Sequence, residues 1–465
     1  MWIMSEIIIG LTILAVICVA VARQSASCLW CTAIAGLVGA LVMALYAPYE
    51  YGTGPMTSLV YPLRICIMAI SLIIGLAVRP WLCSQKNEAT GFLVLWLGCT
   101  GGMSVLISAH DLISLYMALE LTALPMVVLI ALNRDKFAVR CAWRYFIMSA
   151  LGTSIWLMGM VLLYGVTGTM DLAQMTQIVD KQIFPLMSPE IAATWLFIAA
   201  VCMMAGFAVK FGLCPMQRWV VDVYERAPWP SLMVVSALPK LAIWVVLVRV
   251  MAATGQPVVW QLLGWIIGLG SLVYGTLMAL STRAIRSLLA YASIAQLGVV
   301  MLVSVIGSPD SMTASALFMT VYVVMGVLVM GVLFNIEKDG REVVSWDELR
   351  GLSVHHPAMS MMIAMLMFAM AGIPPMLGFI AKFDMIRALV KAQWWLSAGC
   401  VVLMSVVALA YYTRLIKATY FEAPLGRVNI ISGRVHRLWV GICVVFVVWG
   451  LYPAPVVNFI DRWVS

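Results

Sequence analysis

The chain has 465 residues, of which 64% are hydrophobic and only 10% charged, whereas a soluble domain carries about 25% charged residues. That composition excludes a water-soluble globular fold, and the long unbroken apolar runs exclude an outer-membrane barrel, whose strands alternate polar and apolar residues. The formal net charge of +8 is spread along loops between apolar runs, which argues for membrane topology and against a nucleic-acid footprint.

A bilayer core needs about 20 mostly apolar residues per helix. Windows of that length fall at 2–22, 28–46, 60–78, 91–108, 110–132, 142–166, 191–213, 228–253, 257–281, 285–307, 312–336, 357–381, 393–421 and 436–460. The expected fold is therefore an all-α polytopic membrane protein of about 14 transmembrane helices. The first window has the length of a signal peptide, but it carries Glu6 and no basic residue ahead of its apolar run, so it is read as a retained helix. Between the fourth and fifth windows only His110 and Asp111 mark a turn. Loops after odd-numbered helices hold most of the lysines and arginines, while the other side holds Arg64, Lys181, Arg249, Arg387, Lys391 and Arg462. The positive-inside rule then puts the odd loops in the cytoplasm and both termini outside, in a bacterial inner membrane.

Cysteines and histidines supply no ligand set. The one close pair, Cys28 and Cys31, has no second pair to complete a zinc or iron–sulfur site. His355 and His356 fall where a polar loop meets an apolar helix and read as interfacial. The charged stretch "EKDGREVVSWDELRG" at 337–351 reads as a solvated linker, or as a docking surface for another subunit.

Four ionisable residues fall inside apolar helices: Glu120 in the fifth, Lys210 in the seventh, Lys240 in the eighth and Lys382 at the end of the twelfth. A charge at a helix centre costs about 2.5–3.5 kcal/mol on the insertion scale, and such residues mark ion or proton paths more often than they face lipid. Lys210 and Lys382 stand close enough to helix ends to snorkel as well; Glu120 and Lys240 do not. Gly212 and Pro215 follow Lys210, and Pro374, Pro375 and Gly378 precede Lys382. Proline frees backbone carbonyls that only protein or water can satisfy at that depth, so each break suggests a hydrated cavity beside a lysine. Helices 4–8 (91–253) and 9–13 (257–421) form two sets of five with the broken helix fourth in each, flanked by a three-helix segment (1–90) and a last helix (436–460). Five is odd, so the second set starts on the opposite face, as in an inverted repeat. In a dry site the charge of a lysine depends on whether a carboxylate is near, which suits Glu120 as a movable partner for Lys210.

The stretches "HDLISLYMALELTALPMVVLIAL", "RYFIMSALGTSIWLMGMVLLYGVTGT", "VKFGLCPMQRWVVDVYERAP", "SALPKLAIWVVLVR", "SLLAYASIAQLG" and "AGIPPMLGFIAKF" resemble, in order, helices 5 to 12 of the antiporter-like membrane subunits of respiratory complex I. Lysine at 382, with no long extra helix at the end, makes the chain most similar to the N type. The resemblance implies a proton-translocating subunit with one relay through Glu120, Lys210, Lys240 and Lys382. It implies no cofactor in this chain, with flavin, iron–sulfur clusters and quinone held by partner subunits. The related alternative is a subunit of a membrane-bound hydrogenase or of a multisubunit cation/proton antiporter. Two positions depart from the pattern: Gln217 stands where a histidine is usual, which leaves the cytoplasmic proton uptake route open, and Arg226 replaces a glycine.

Overall fold

The computed structural model describes residues 4–22, 25–46, 60–84, 88–185, 187–255, 257–338, 341–424 and 428–430, with 439–441, 444, 449–450 and 452. Nearly all of it is helix. In chain order the elements are α1 (Met4–Val21), α2 (Ala26–Tyr46), α3 (Val60–Ser84), α4 (Ala89–Ser108), α5 (Leu112–Ile130), α6 (Lys136–Thr167), α7 (Leu172–Asp180), α8 (Pro189–Phe211) and α9 (Arg218–Arg226). They continue as α10 (Trp229–Thr254), α11 (Pro257–Ser281), α12 (Ile285–Ser304), α13 (Pro309–Phe334), α14 (Leu352–His355), α15 (Pro357–Ala371), α16 (Leu377–Lys391) and α17 (Trp395–Phe421). Among the described residues 12 helices are long and apolar enough to cross a membrane. The expected fourteenth helix, 436–460, lies mostly outside the described residues, as do both chain ends.

A break is present just after Lys210: α8 ends at Phe211, and a separate short helix, α9, begins at Arg218 beyond the seventh window. Gly212 closes α8 in the left-handed region (φ +69°), which a residue with a Cβ adopts only at a cost. The twelfth helix breaks in the same way. Gly372 closes α15 at φ +82° and α16 resumes at Leu377. Here the sequence window stopped too early: the helix runs on to Lys391, because Asp384, Arg387 and Lys391 lower the hydropathy of a last turn that is amphipathic. Lys382 therefore lies inside the broken helix and not at its end. Two short helices, α7 and α9, had no window of their own because each has only 9 residues.

The split between α4 and α5 is set by capping. Asp111 accepts from Ser114 N–H at 2.8 Å, and the segment is stitched to the start of α7 by Leu112 N–H to Met170 O (3.0 Å) and Leu172 N–H to His110 O (3.0 Å). Contacts between loops pair like with like. Arg144–Asp222, Arg286–Glu342 and Arg350–Glu422 join loops after odd-numbered transmembrane helices, and Lys391–Asp310 joins loops after even ones. A small antiparallel sheet, β2–β1–β3, ties the connection after α13 to the one after α17 through β1 (Ile336–Lys338), β2 (Arg341–Glu342) and β3 (Val428–Ile430). Part of the charged 337–351 stretch is thus ordered against the membrane domain, and Gly351 N–H bonds Ala418 O at 3.0 Å. His356 bonds the carbonyl of Val428 at 2.8 Å, in keeping with an interfacial place.

Packing places α10 at the centre. It is apolar all round apart from Lys240 and the half-buried Arg249 near its end, and its apolar stretch is enclosed on every side, as an all-apolar helix must be when it does not face lipid. Helix α13 packs along it, and α12 reaches it through the Lys240–Ser293 and Trp244–Ser304 hydrogen bonds; both are nearly as deeply buried. Close approach of helices uses small residues: a Cβ on Gly206 of α8 would stand 2.6 Å from Trp156 Cβ and 2.9 Å from Gly152 O of α6.

Candidate functional site

The three lysines all point into the protein. Lys240, 7% exposed, projects from α10 one residue after Pro239, whose missing N–H interrupts the helix ladder at that depth. Its Nζ donates to Tyr224 Oη of α9 (3.1 Å), Ser293 Oγ of α12 (2.5 Å) and Tyr322 Oη of α13 (3.4 Å). Both tyrosine rings also face the ammonium, with centroids at 5.6 and 5.4 Å. Three neutral oxygens and two π faces can hold a cation without neutralising it.

Lys210, in the last turn of α8, donates to Ser149 Oγ of α6 at 2.8 Å. Glu120 of α5 acts on it electrostatically, but the two form no contact ion pair among the described residues. Lys210 and Lys240 line one cavity, together with Tyr145, Ser149, Tyr224 and Ser236. Its volume is about 30 Å³, room for about two waters. A cavity thus lies beside Lys210, where the sequence reading expected one, and it reaches Lys240 as well.

Lys382 is 6% exposed, which rules out snorkelling, and its Nζ donates to Ala371 O at 3.1 Å. That carbonyl ends α15 and is one of those the break sets free. Lys382 also lines a separate cavity of about 300 Å³ with Gly372, Phe379 and Ser405. In the second half of the molecule lie Gln296 of α12 and the fully buried pair Tyr411 and Tyr412 of α17. Among the described residues neither tyrosine hydroxyl makes a hydrogen bond of normal geometry, and both rings lie within electrostatic reach of Tyr322.

Sequence reasoning found the four charges and missed the lysines' partners, Ser149, Tyr224, Ser293 and Tyr322, and the buried Tyr411–Tyr412 pair near Tyr322. A signal existed in Tyr322 and the Tyr411–Tyr412 pair, polar-tipped residues within otherwise apolar helices. Of the two departures, Gln217 is buried in the first break with Oε1 unpartnered among the described residues, and the Arg226 guanidinium lies over the Phe137 ring at 5.1 Å. On the opposite face Arg249 donates to Ile107 O (2.9 Å) and Ala109 O (2.6 Å) beside His110. Burial, with the Arg249 charge second, pushes the His110 imidazole down to about 4 against smaller opposing effects of Asp171 and Asp111.

A profile of the transmembrane family described as NADH:quinone oxidoreductase/Mrp antiporter matches residues 109–408. The chain belongs to this family. Among its relatives in the family is NADH-quinone oxidoreductase subunit N of Paramagnetospirillum magneticum, 33% identical over 400 residues, spanning 84% of this chain and 81% of that protein. Subunit N 1 of Rhizobium meliloti is 35% identical over 368 residues, spanning 78% of this chain and 75% of that one. Among solved structures, a chain of respiratory complex I from Thermus thermophilus superposes with a TM-score of 0.81 at 24% identity, over 98% of both chains. A chain of an archaeal membrane-bound sulfane sulfur reductase gives 0.87 at 20%, over 100% of this chain and 97% of that one. A chain of the Mrp complex from Dietzia sp. gives 0.83 at 17%, over 99% and 96%. At these identities the superpositions establish the antiporter-like fold, and the subunit N relatives are what separate one member of the family from another.

Proposed function

We propose that this chain is the proton-translocating N-type membrane subunit of an NADH:quinone oxidoreductase, with Glu120, Lys210, Lys240 and Lys382 as its relay. The observation that carries the reading is the shared cavity: the buried Lys240 and the half-buried Lys210 line one space large enough for water, and among the described residues neither is neutralised by a contact carboxylate. When Glu120 approaches, Lys210 holds its proton more firmly; when Glu120 withdraws, the proton passes through the cavity towards Lys240. Tyr224 and Tyr322 hydroxyls accept from Lys240 and can donate onward, and Lys382 receives the proton at the second break. Protons leave by the cavity beside Lys382.

Electron transfer belongs to partner subunits, which hold flavin, iron–sulfur clusters and quinone; this chain contributes the proton path. Helices 4–8 and 9–13 act as two inverted repeats, each with one lysine-bearing break. Both termini lie on the outer side of a bacterial inner membrane, consistent with the loop charges. The homologous reading, a subunit of a cation/proton antiporter or another respiratory membrane complex, draws on the fold likeness to the Mrp and sulfane sulfur reductase chains; sequence identity favours the oxidoreductase. The test is NADH-driven acidification of inverted membrane vesicles carrying Lys240→Gln, with assembly measured in parallel. The reading expects an assembled complex that pumps at a small fraction of the wild-type rate. Unchanged acidification per assembled complex would reject it.

A further inference from the structure

Away from the lysine row, at the end of the molecule that carries the odd-numbered loops, a polar cavity of about 460 Å³ opens between the ends of α11 and α17. Four cations line it, Arg283, Arg350, Arg414 and Lys417, against two carboxylates, Asp347 and Glu422. The carboxylates are committed to one side. Arg350 pairs with Asp347 and, at 2.7 Å, with Glu422, while Lys417 stands 4.0 Å from Glu422. Arg414 gives one N–H to Leu280 O at 2.7 Å and keeps its other donors. Arg283 has no ion pair or side-chain hydrogen bond among the described residues. The cavity is thus a cationic recess with two guanidinium groups left to bind an anion, and paired N–H donors of arginine match phosphate oxygens.

Its position narrows the anion. The cavity sits at the ends of two transmembrane helices whose outer surfaces are apolar, with Leu277 of α11 and Phe421 of α17 at 52% and 81% exposure. Half-buried Trp346 forms part of the wall, an amphipathic ring suited to headgroup depth. A ligand with a phosphate in the recess would lay apolar chains along these helices.

We infer that this recess is a binding site for the phosphate of an anionic phospholipid headgroup, held by Arg283 and Arg414. The inference is independent of the proton relay, because no relay residue lines the recess. Basic pockets between transmembrane helices serve lipids in this way.

The test uses the assembled complex in nanodiscs of phosphatidylcholine containing a minor fraction of photoactivatable phosphatidylglycerol. Cross-linked peptides are mapped by mass spectrometry. The wild type is expected to cross-link within 277–283 and 414–422. Arg283→Gln, which removes no internal partner, is expected to weaken that labelling by roughly fivefold, and Arg283→Gln with Arg414→Gln by more. A control pair on exposed basic residues of the same side, Lys136→Gln with Arg140→Gln, is expected to leave it unchanged. Labelling that is the same in Arg283→Gln, or that falls equally in the control pair, would overturn the assignment. So would complete loss of labelling on adding millimolar inorganic phosphate to the same lipid-containing nanodiscs, which would assign the recess to a soluble anion. Absence of labelling in the wild-type complex would overturn it as well.

Discussion

Lys240 is held by hydroxyls and not by a carboxylate, and this decides what its neighbours can do. A carboxylate would fix the charge; Tyr224 and Tyr322 stabilise it while offering protons of their own. Hydrogen bonds to charged groups contribute about 1.5–3 kcal/mol each. Tyr322→Phe is therefore expected to slow coupled turnover about tenfold or more while the complex still assembles, since the ring packing is kept; NADH oxidation by assembled complex measures it. Gly372 has a different duty. Its φ of +82° excludes ordinary side chains, and an added Cβ would stand 3.3–3.4 Å from Lys382 Cδ, Cε and Nζ. Gly372→Ala is expected to destabilise the second break by about 1 kcal/mol or more and to shift Lys382 from Ala371 O, lowering pumping more than assembly. At His110 the prediction concerns pH. The folded imidazole titrates at about 4 and an ordinary one at 6.5, so between those values the opened segment binds more protons than the folded one. Stability of this corner falls as pH drops through that window. Protection factors of the amides around 108–112, which divide out the intrinsic slowing of exchange towards acid, should fall from pH 7 to pH 5, and His110→Asn should remove that fall.

At the scale of elements, the membrane helices within the described residues were legible because they announce themselves by length and apolarity, and His110 with Asp111 sufficed to separate α4 from α5. Boundaries were less so. The twelfth helix was cut short at 381 since its last turns carry charge on an exposed face, and short α7 and α9 carry too few apolar residues to form a window. A further contact escaped the loop-charge count altogether: Arg64, assigned to the outer side, is buried in α3 and bonds Glu6 of α1, while Ser104 of α4 donates to Glu6 Oε1 at 2.6 Å. This ties the N-terminal helices to the first set of five. Removing one partner of a buried pair costs about 3–5 kcal/mol, whereas replacing both by apolar residues is close to neutral. Arg64→Met is expected to reduce the yield and melting temperature of the complex, and Glu6→Leu with Arg64→Met to restore most of the loss. Equal damage in single and double variants would show that the pair is not what holds α1.

For the whole molecule, the four charges within membrane helices could be read from sequence because each is conspicuous in apolar surroundings. Their relation could not. That Lys210 and Lys240 share a cavity depends on α6, α8, α9 and α10 converging, and that convergence rests on Gly152, Gly206 and Gly212 allowing backbones to meet. The partners Ser149, Tyr224, Ser293 and Tyr322 come from four different helices, so no local motif collects them. The central claim is that the row of lysines carries protons and is not a set of structural charges. The most direct measurement is the number of protons translocated per electron by assembled complex carrying Lys210→Ala, with quinone reduction followed in the same vesicles. The account predicts that assembly survives and that translocation per electron falls along with coupled turnover. An unchanged ratio at unchanged turnover would contradict it and make Lys210 a structural residue.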